Sequence, residues 1–255
     1  MITDQEIEQF REIGYFVTDV VIEKQDLKAM SDEIDRVYEE QVDKVSADGG
    51  TDDEIRAAKG RRAYGAFHTL SDVAAEFIKQ PIYLEASRKL VGPDVDLYYN
   101  QVAVKPPELS KTFGWHQDSG YTTTEPLEYI TCWTAIGDSD LDNGCIWVIP
   151  GSNKHGVFPH ERQEETDEIY GGVNAQFDDE TGAMPVEMKA GQVAIFSSLT
   201  LHKSGPNMSK DRTRYGYVPQ YHVPQPILVR SGEVFGDQVP ILRDGEVVES
   251  VIRNT

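Results

Sequence analysis

Phe113-Gly114-Trp115-His116-Gln117-Asp118 is the stretch from which the rest of the chain can be read. In an extended strand alternate side chains point to the same face, so His116 and Asp118 are expected on one side with Gln117 turned aside. Both can then reach one ion. His202 answers them 202 − 118 = 84 residues later, in the strand-like Thr200-Leu201-His202-Lys203-Ser204. Two neutral imidazoles and one carboxylate suit Fe(II) and leave three metal positions for small molecules, whereas structural zinc closes its shell with four protein ligands.

Working outward, the two sides of this stretch have different periods. Upstream, apolar residues recur at three- and four-residue intervals: Ile7, Phe10 and Ile13 after a Thr3-Asp4 cap, then Leu27, Met30, Ile34, Val37 and Tyr38 from Lys24 to about Val45. Thr51-Asp52-Asp53-Glu54 reads as the capped start of a further helix. Helical segments follow from Ser71 to Lys79 and from Pro81 to Val91, stopped by Gly92-Pro93. From Asp94 the period becomes 2. Strands are expected near Asp96–Lys105, Thr112–Gln117, Tyr129–Gly137, Cys145–Pro150, Val186–Lys189, Gln192–Ser197, Thr200–Lys203 and Thr213–Val223, with a short earlier one at Tyr15–Thr18. Eight strands behind a helical part predict a mainly β fold with flanking α-helices, its core a double-stranded β-helix of the jelly-roll, cupin-like kind. The expected division is one domain, with helical support over 1–93, the jelly roll over 94–223 and an extension over 224–255. Gly156 to Gly182 is acidic, reads as irregular and is expected to act as a lid. Asp244-Gly245 predicts a small hairpin.

Lys plus Arg number 24 against 44 Asp plus Glu, a net charge of −20. Such a surface repels nucleic acid and anionic lipid, so neither is an expected partner. Lys59-Gly60-Arg61-Arg62, the one basic cluster of the first half, is read as a solvated patch, with contact to an anionic substrate group as the alternative. Cys132 and Cys145 have no metal-binding spacing and sit in apolar runs, which fits reduced, buried thiols. With no apolar run long enough to cross a bilayer, and no basic or apolar leader in MITDQEIEQF, a soluble cytoplasmic protein is expected.

Four runs carry a resemblance: Trp115-His116-Gln117-Asp118, Cys132-Trp133-Thr134-Ala135, Asn143-Gly144-Cys145 through Val148-Ile149-Pro150-Gly151-Ser152, and His202-Lys203-Ser204-Gly205-Pro206-Asn207. Together they resemble the phytanoyl-CoA dioxygenase family of non-haem iron, 2-oxoglutarate-dependent oxygenases, most strongly between Tyr98 and His222. The resemblance implies His116, Asp118 and His202 as iron ligands, 2-oxoglutarate and O2 as cosubstrates, and succinate and CO2 as products. It implies a downstream arginine for the far carboxylate of 2-oxoglutarate. Arg212 and Arg214 both qualify, because Ser209 to Arg214 is one residue longer than the family pattern. Arg214 is chosen, since at the head of a strand its forked guanidinium is held for a bidentate contact, while Arg212 falls on a turn. Lys105 and Trp133 match family residues near the cosubstrate. Gln101 shares a strand face with Lys105, as does Tyr99, so the first is expected in the cosubstrate pocket and the second near substrate. His68, His155, His160 and His222 match no ligand position. Related halogenases replace the carboxylate ligand by a small residue, so Asp118 implies hydroxylation, with desaturation, epoxidation and ring formation open on the same site. A small-molecule metabolite or natural-product intermediate is the expected substrate. A jelly-roll protein without catalysis, or a cupin-type metal protein that uses no 2-oxoglutarate, is the rival reading.

Overall fold

The change of period at residue 94 is a change of architecture. The computed structural model describes residues 1–55, 63–107, 111–166, 169–236 and 238–249. Its first part holds α1 (Asp4–Ile13), α2 (Lys24–Ala47), α3 (Asp72–Phe77) and α4 (Pro81–Ala86), the last running on into a π-helical turn, Ser87–Val91. The ends are built as their sequences dictate. Thr3 and Glu6 form a reciprocal capping box on α1, and Gly14 closes it at φ 86°, a left-handed conformation that costs glycine little. Ser71 accepts from the Ala74 N–H to cap α3. α2 buries Leu27, Met30, Ile34 and Val37, which recur at helical spacing.

The strands are β1 (Tyr15–Val17), β2 (Ala63–Gly65), β3 (Val95–Lys105), β4 (Phe113–His116), β5 (Thr124–Glu125), β6 (Ile130–Ala135), β7 (Ile146–Val148) and β8 (His160–Gln163). There follow β9 (Gly172–Ala175), β10 (Met184–Val186), β11 (Val193–Ser197), β12 (His202–Ser204), β13 (Arg214–His222), β14 (Ile227–Leu228), β15 (Val239–Arg243) and β16 (Glu246–Val247). A large antiparallel sheet runs β1-β11-β6-β13-β3-β15-β16, with β2 also on β3, and a smaller one runs β10-β7-β12-β4. This is the jelly roll. The helical first part also supplies β1 and β2 to the large sheet, and the extension supplies β15 and β16.

Parity along the central strands separates the two faces of the large sheet. Val102, Val104, Cys132, Tyr217 and Tyr221 pack with Met30, Ile34, Phe77 and Tyr83 beneath the helices. Trp133, Ala135 and Val218 turn the other way and meet Ile146, Val148 and Val186 of the small sheet. The functional side chains described below lie on that second face, between the sheets.

Two expectations need correction. The 156–182 segment is not irregular throughout, because β8 and β9 pair antiparallel over four residues each. Side chains of β8 are mostly exposed, so the apolar alternation that marks a half-buried strand is missing from its sequence. The second concerns Asp118: β4 ends at His116, and Asp118 opens a one-turn helix, α5 (Asp118–Tyr121). Gln117 is nonetheless extended at φ −119° and ψ 140°, so His116 and Asp118 keep the alternation expected of them and reach the same site. The Asp244-Gly245 hairpin forms, with φ 51° and 81° at its two turn residues, as a tight two-residue turn requires. Lys59 to Arg62 lies outside the described residues. Among the described residues no helix is long and apolar enough to cross a membrane.

Candidate metal centre and cosubstrate pocket

His116 and His202 come from neighbouring strands of the small sheet and are paired in register. Each ring is oriented by the chain itself. His116 Nδ1 donates to the Gly114 carbonyl at 2.9 Å, and His202 Nδ1 to the Thr200 carbonyl at 3.0 Å. A carbonyl can only accept, so both Nδ1 atoms carry the proton and both Nε2 lone pairs are free. Ring centroids lie 4.0 Å apart, and His202 Nε2 is 3.7 Å from Asp118 Oδ1. One donor atom from each of the three residues falls within 4.8 Å of the others. All three are buried, and burial with the neighbouring His202 holds His116 well below the usual histidine range, so its imidazole is neutral. These donors fit a divalent ion such as Fe(II), which takes neutral imidazoles and a carboxylate.

The intervening Gln117 has a structural task. Its amide donates to the carbonyls of Gly156 (2.7 Å) and Leu199 (2.6 Å) and accepts from the Phe158 N–H, tying the ligand-bearing turn to the approach to β12 and to the 156–182 segment. His160 accepts the Gln117 N–H through Nε2. His68 and His222 bond to Asn100 and to Thr124, Pro126 and Val223, away from the triad.

Beside the triad is a cavity of about 160 Å³ lined by Gln101, Lys105, Trp133 and Arg214 among others. Arg214 and Lys105 face each other across the β13–β3 pairing. Arg214 is 2% exposed and donates to two carbonyls, Gly144 at 2.8 Å and Ala103 at 3.3 Å, while its Nε is buried without a partner. Its guanidinium carbon lies 5.2 Å from the Trp133 ring centroid. Burial lowers its pKa to about 10, which leaves it charged at neutral pH. Among the described residues no carboxylate pairs with it. Lys105, also buried, donates to the carbonyls of Lys111 (2.7 Å), Ser204 (3.1 Å) and Gly205. Arg212 is placed differently: it makes a forked pair with Asp140 at 2.6 and 3.0 Å, is about two-fifths exposed, and does not line the cavity.

A second chamber, about 330 Å³, also borders His116 and Asp118. Tyr98, Tyr99, Tyr121, Tyr129 and Phe235 wall it, with Gln101, Thr122 and Gln220 as its neutral polar groups. Tyr99 thus lies in this chamber, 39% exposed, and Gln101 touches both. Sequence reading overlooked Phe113 and Tyr170 in the first cavity, Tyr121 and Phe235 in the second, and Thr131, which bonds to Asp118. Thr131 shares a strand face with Trp133, so parity could have found it. Tyr170 and Phe235 come from loops, where no period exists to read.

A jelly roll with two histidines and a carboxylate converging beside a buried, unpaired arginine defines a class: double-stranded β-helix proteins built around a facial metal triad. The chain belongs to the phytanoyl-CoA dioxygenase family, whose model, described as "Phytanoyl-CoA dioxygenase (PhyH)", matches residues 10–215. It is similar to a probable phytanoyl-CoA dioxygenase of Caenorhabditis elegans, 29% identical over 163 residues, covering 59% of this chain and 52% of the relative. It is also similar to the ectoine dioxygenase of Bordetella bronchiseptica, 23% identical over 219 residues, covering 80% of this chain and 70% of the relative. Among solved structures, EvdO2 from Micromonospora carbonacea var. aurantiaca complexed with 2-oxoglutarate shares the fold, with a TM-score of 0.68, 19% identity and coverage of 91% of this chain and 95% of that one. The chain spans 40–63% of the length of the first phytanoyl-CoA dioxygenases it matches.

Proposed function

We propose that the chain is an Fe(II)- and 2-oxoglutarate-dependent oxygenase that hydroxylates an unactivated C–H bond of a small molecule, releasing succinate and CO2. The observation that carries this reading is Arg214: a charged guanidinium, almost wholly buried, with an unsatisfied Nε and no carboxylate partner among the described residues. Leaving a charge buried and unpaired is costly, so the cavity is built to receive an anion. A dicarboxylate with one end at the triad and the other at Arg214 answers both features. His116, Asp118 and His202 would hold iron, Arg214 would take the far carboxylate, Lys105 would add a second cation, Trp133 would brace the guanidinium, and Gln101 would stand between cosubstrate and substrate. The bound metal and cosubstrate supply oxygen activation; the protein orients them, excludes water and holds one substrate bond close.

Substrate would occupy the second chamber. An engineered cavity of about 150 Å³ takes one benzene, so this chamber holds a reacting moiety of roughly two rings. No Lys or Arg lines it among the described residues, and its aromatic walls favour a compact, uncharged part of a metabolite or natural-product intermediate. Tyr99 would touch it. A cytoplasmic site of action is supported by Cys132 and Cys145, which are both free and buried.

The test is a panel of such molecules incubated with protein, Fe(II), O2 and 2-oxoglutarate. Substrate-stimulated succinate formation is expected with a product heavier by one oxygen atom. A product lighter by two hydrogens would replace hydroxylation with desaturation or ring closure, and absence of succinate across the panel would overturn the reading.

Lys105 adds a pH prediction. Its three carbonyl partners can accept all three protons of the ammonium form, while burial, and then the Arg214 charge, drive its pKa down to about 6. The other groups facing it are Tyr170, whose ring lies 5.9 Å away, and Cys145, whose own thiol is pushed up to about 11. An arriving dicarboxylate favours the charged form, so binding takes up a proton and 2-oxoglutarate affinity falls as pH rises above about 6. Calorimetry in two buffers of different ionisation heat should show this uptake, and Lys105→Met should remove it. Buffer-independent heats in the native protein would refute it.

A further inference from the structure

Asp118 is the one member of the triad that no strand holds. β4 stops at His116, and the carboxylate sits at the start of a single helical turn. A carboxylate's last torsion is broad and two-fold, so the backbone alone does not decide which oxygen meets a metal. We propose that Thr131 is the positioning residue that makes this decision, an inference that rests on the metal role given to Asp118 above. Its hydroxyl donates to Asp118 Oδ2 at 2.5 Å, while Oδ1 is the oxygen 3.7 Å from His202 Nε2.

The direction of that bond is set from behind. A hydroxyl has one proton and two lone pairs, and Gln220 Nε2 donates into Thr131 Oγ1 at 3.3 Å, which turns the proton towards Asp118. Thr131 itself cannot shift. It is fully buried in β6 and paired with Phe196 of β11 on one side and Gln220 of β13 on the other. With Oδ2 committed to Thr131, Asp118 offers a metal one oxygen rather than two, and a coordination position stays available for a small molecule. Gln220 also lines the second chamber, so the hydrogen-bonded chain Gln220–Thr131–Asp118 joins the place proposed for substrate to the metal carboxylate.

The test measures metal binding, not turnover. Mn(II), a redox-inert stand-in for Fe(II), is titrated into the metal-free protein without 2-oxoglutarate, and free ion is counted by electron paramagnetic resonance. Thr131→Val, which keeps the shape and removes the donor, is expected to weaken binding roughly 10–100-fold, the range for changes behind a metal ligand. Thr131→Ser, which keeps the hydroxyl, is expected to restore native affinity. Native affinity in Thr131→Val, or equal losses in both variants, would overturn the proposal, the second because packing rather than the hydrogen bond would then be responsible. If Thr131→Val shows no cooperative unfolding, Gln220→Leu decides: weaker Mn(II) binding supports the chain, and unchanged binding overturns it. Failure of the unaltered protein to bind Mn(II) would instead strike the metal reading itself.

Discussion

His202→Ala is expected to bind Fe(II) at least about 100-fold more weakly than the unaltered protein, beyond the loss typical of residues behind the ligands, and to form no measurable succinate. The reason lies in where β12 stands. It is the inner strand between β7 and β4, and its backbone bonds to both, so His202 is held by main chain that the substitution leaves in place. What disappears is an imidazole whose Nδ1 is already committed to the Thr200 carbonyl and whose Nε2 has only a metal to serve. The metal-free protein should therefore keep its circular dichroism and a cooperative melt. Some stability is lost with the ring, which packs against Phe196 at a centroid distance of 4.7 Å. Iron stoichiometry after gel filtration is the measurement. A full equivalent of iron in this variant would remove His202 from the triad.

Arg214→Ala should raise the KM for 2-oxoglutarate by about 30-fold to a few thousand-fold, the equivalent of roughly 2–5 kcal/mol for losing one partner of a buried, hydrogen-bonded charge pair. Metal binding should be unaffected, because Arg214 is bonded to Gly144 and Ala103 rather than to any triad residue. Arg212→Ala is the control. That side chain spends its guanidinium on Asp140 outside the cavity, so its removal should leave the KM near its native value and cost little stability, as exposed pairs do. If the two effects were exchanged, the turn arginine would be the anchor. An unchanged KM in both variants would favour the rival cupin-type protein that needs no 2-oxoglutarate.

Much of this molecule is legible in one dimension because its strands are long enough to show a period. Gln101 and Lys105 were read onto one face of β3 by counting in twos, and both line the cavity. The same count places Asp118 with His116 across an extended Gln117, although β4 ends at His116 and Asp118 opens a helical turn. Nothing local marks that end, since Gln117 is still extended at φ −119° and ψ 140°. The Gln117 side chain is taken by Gly156, Phe158 and Leu199, groups between 39 and 82 residues away, and no local pattern announces those bonds.

The sequence by itself determined the fold class, through the switch of period at residue 94, and the residue types of the site, because two histidines and a carboxylate are chemistry that no packing can alter. It also determined which side chains of β3 share a face, since alternation is a property of the extended chain. The tertiary structure alone decided how His202 is brought beside His116 and Asp118, which of two arginines two residues apart enters the cavity, and which loop aromatics close the second chamber. Each of these depends on contacts between segments far apart in the chain, and such contacts leave no period behind them.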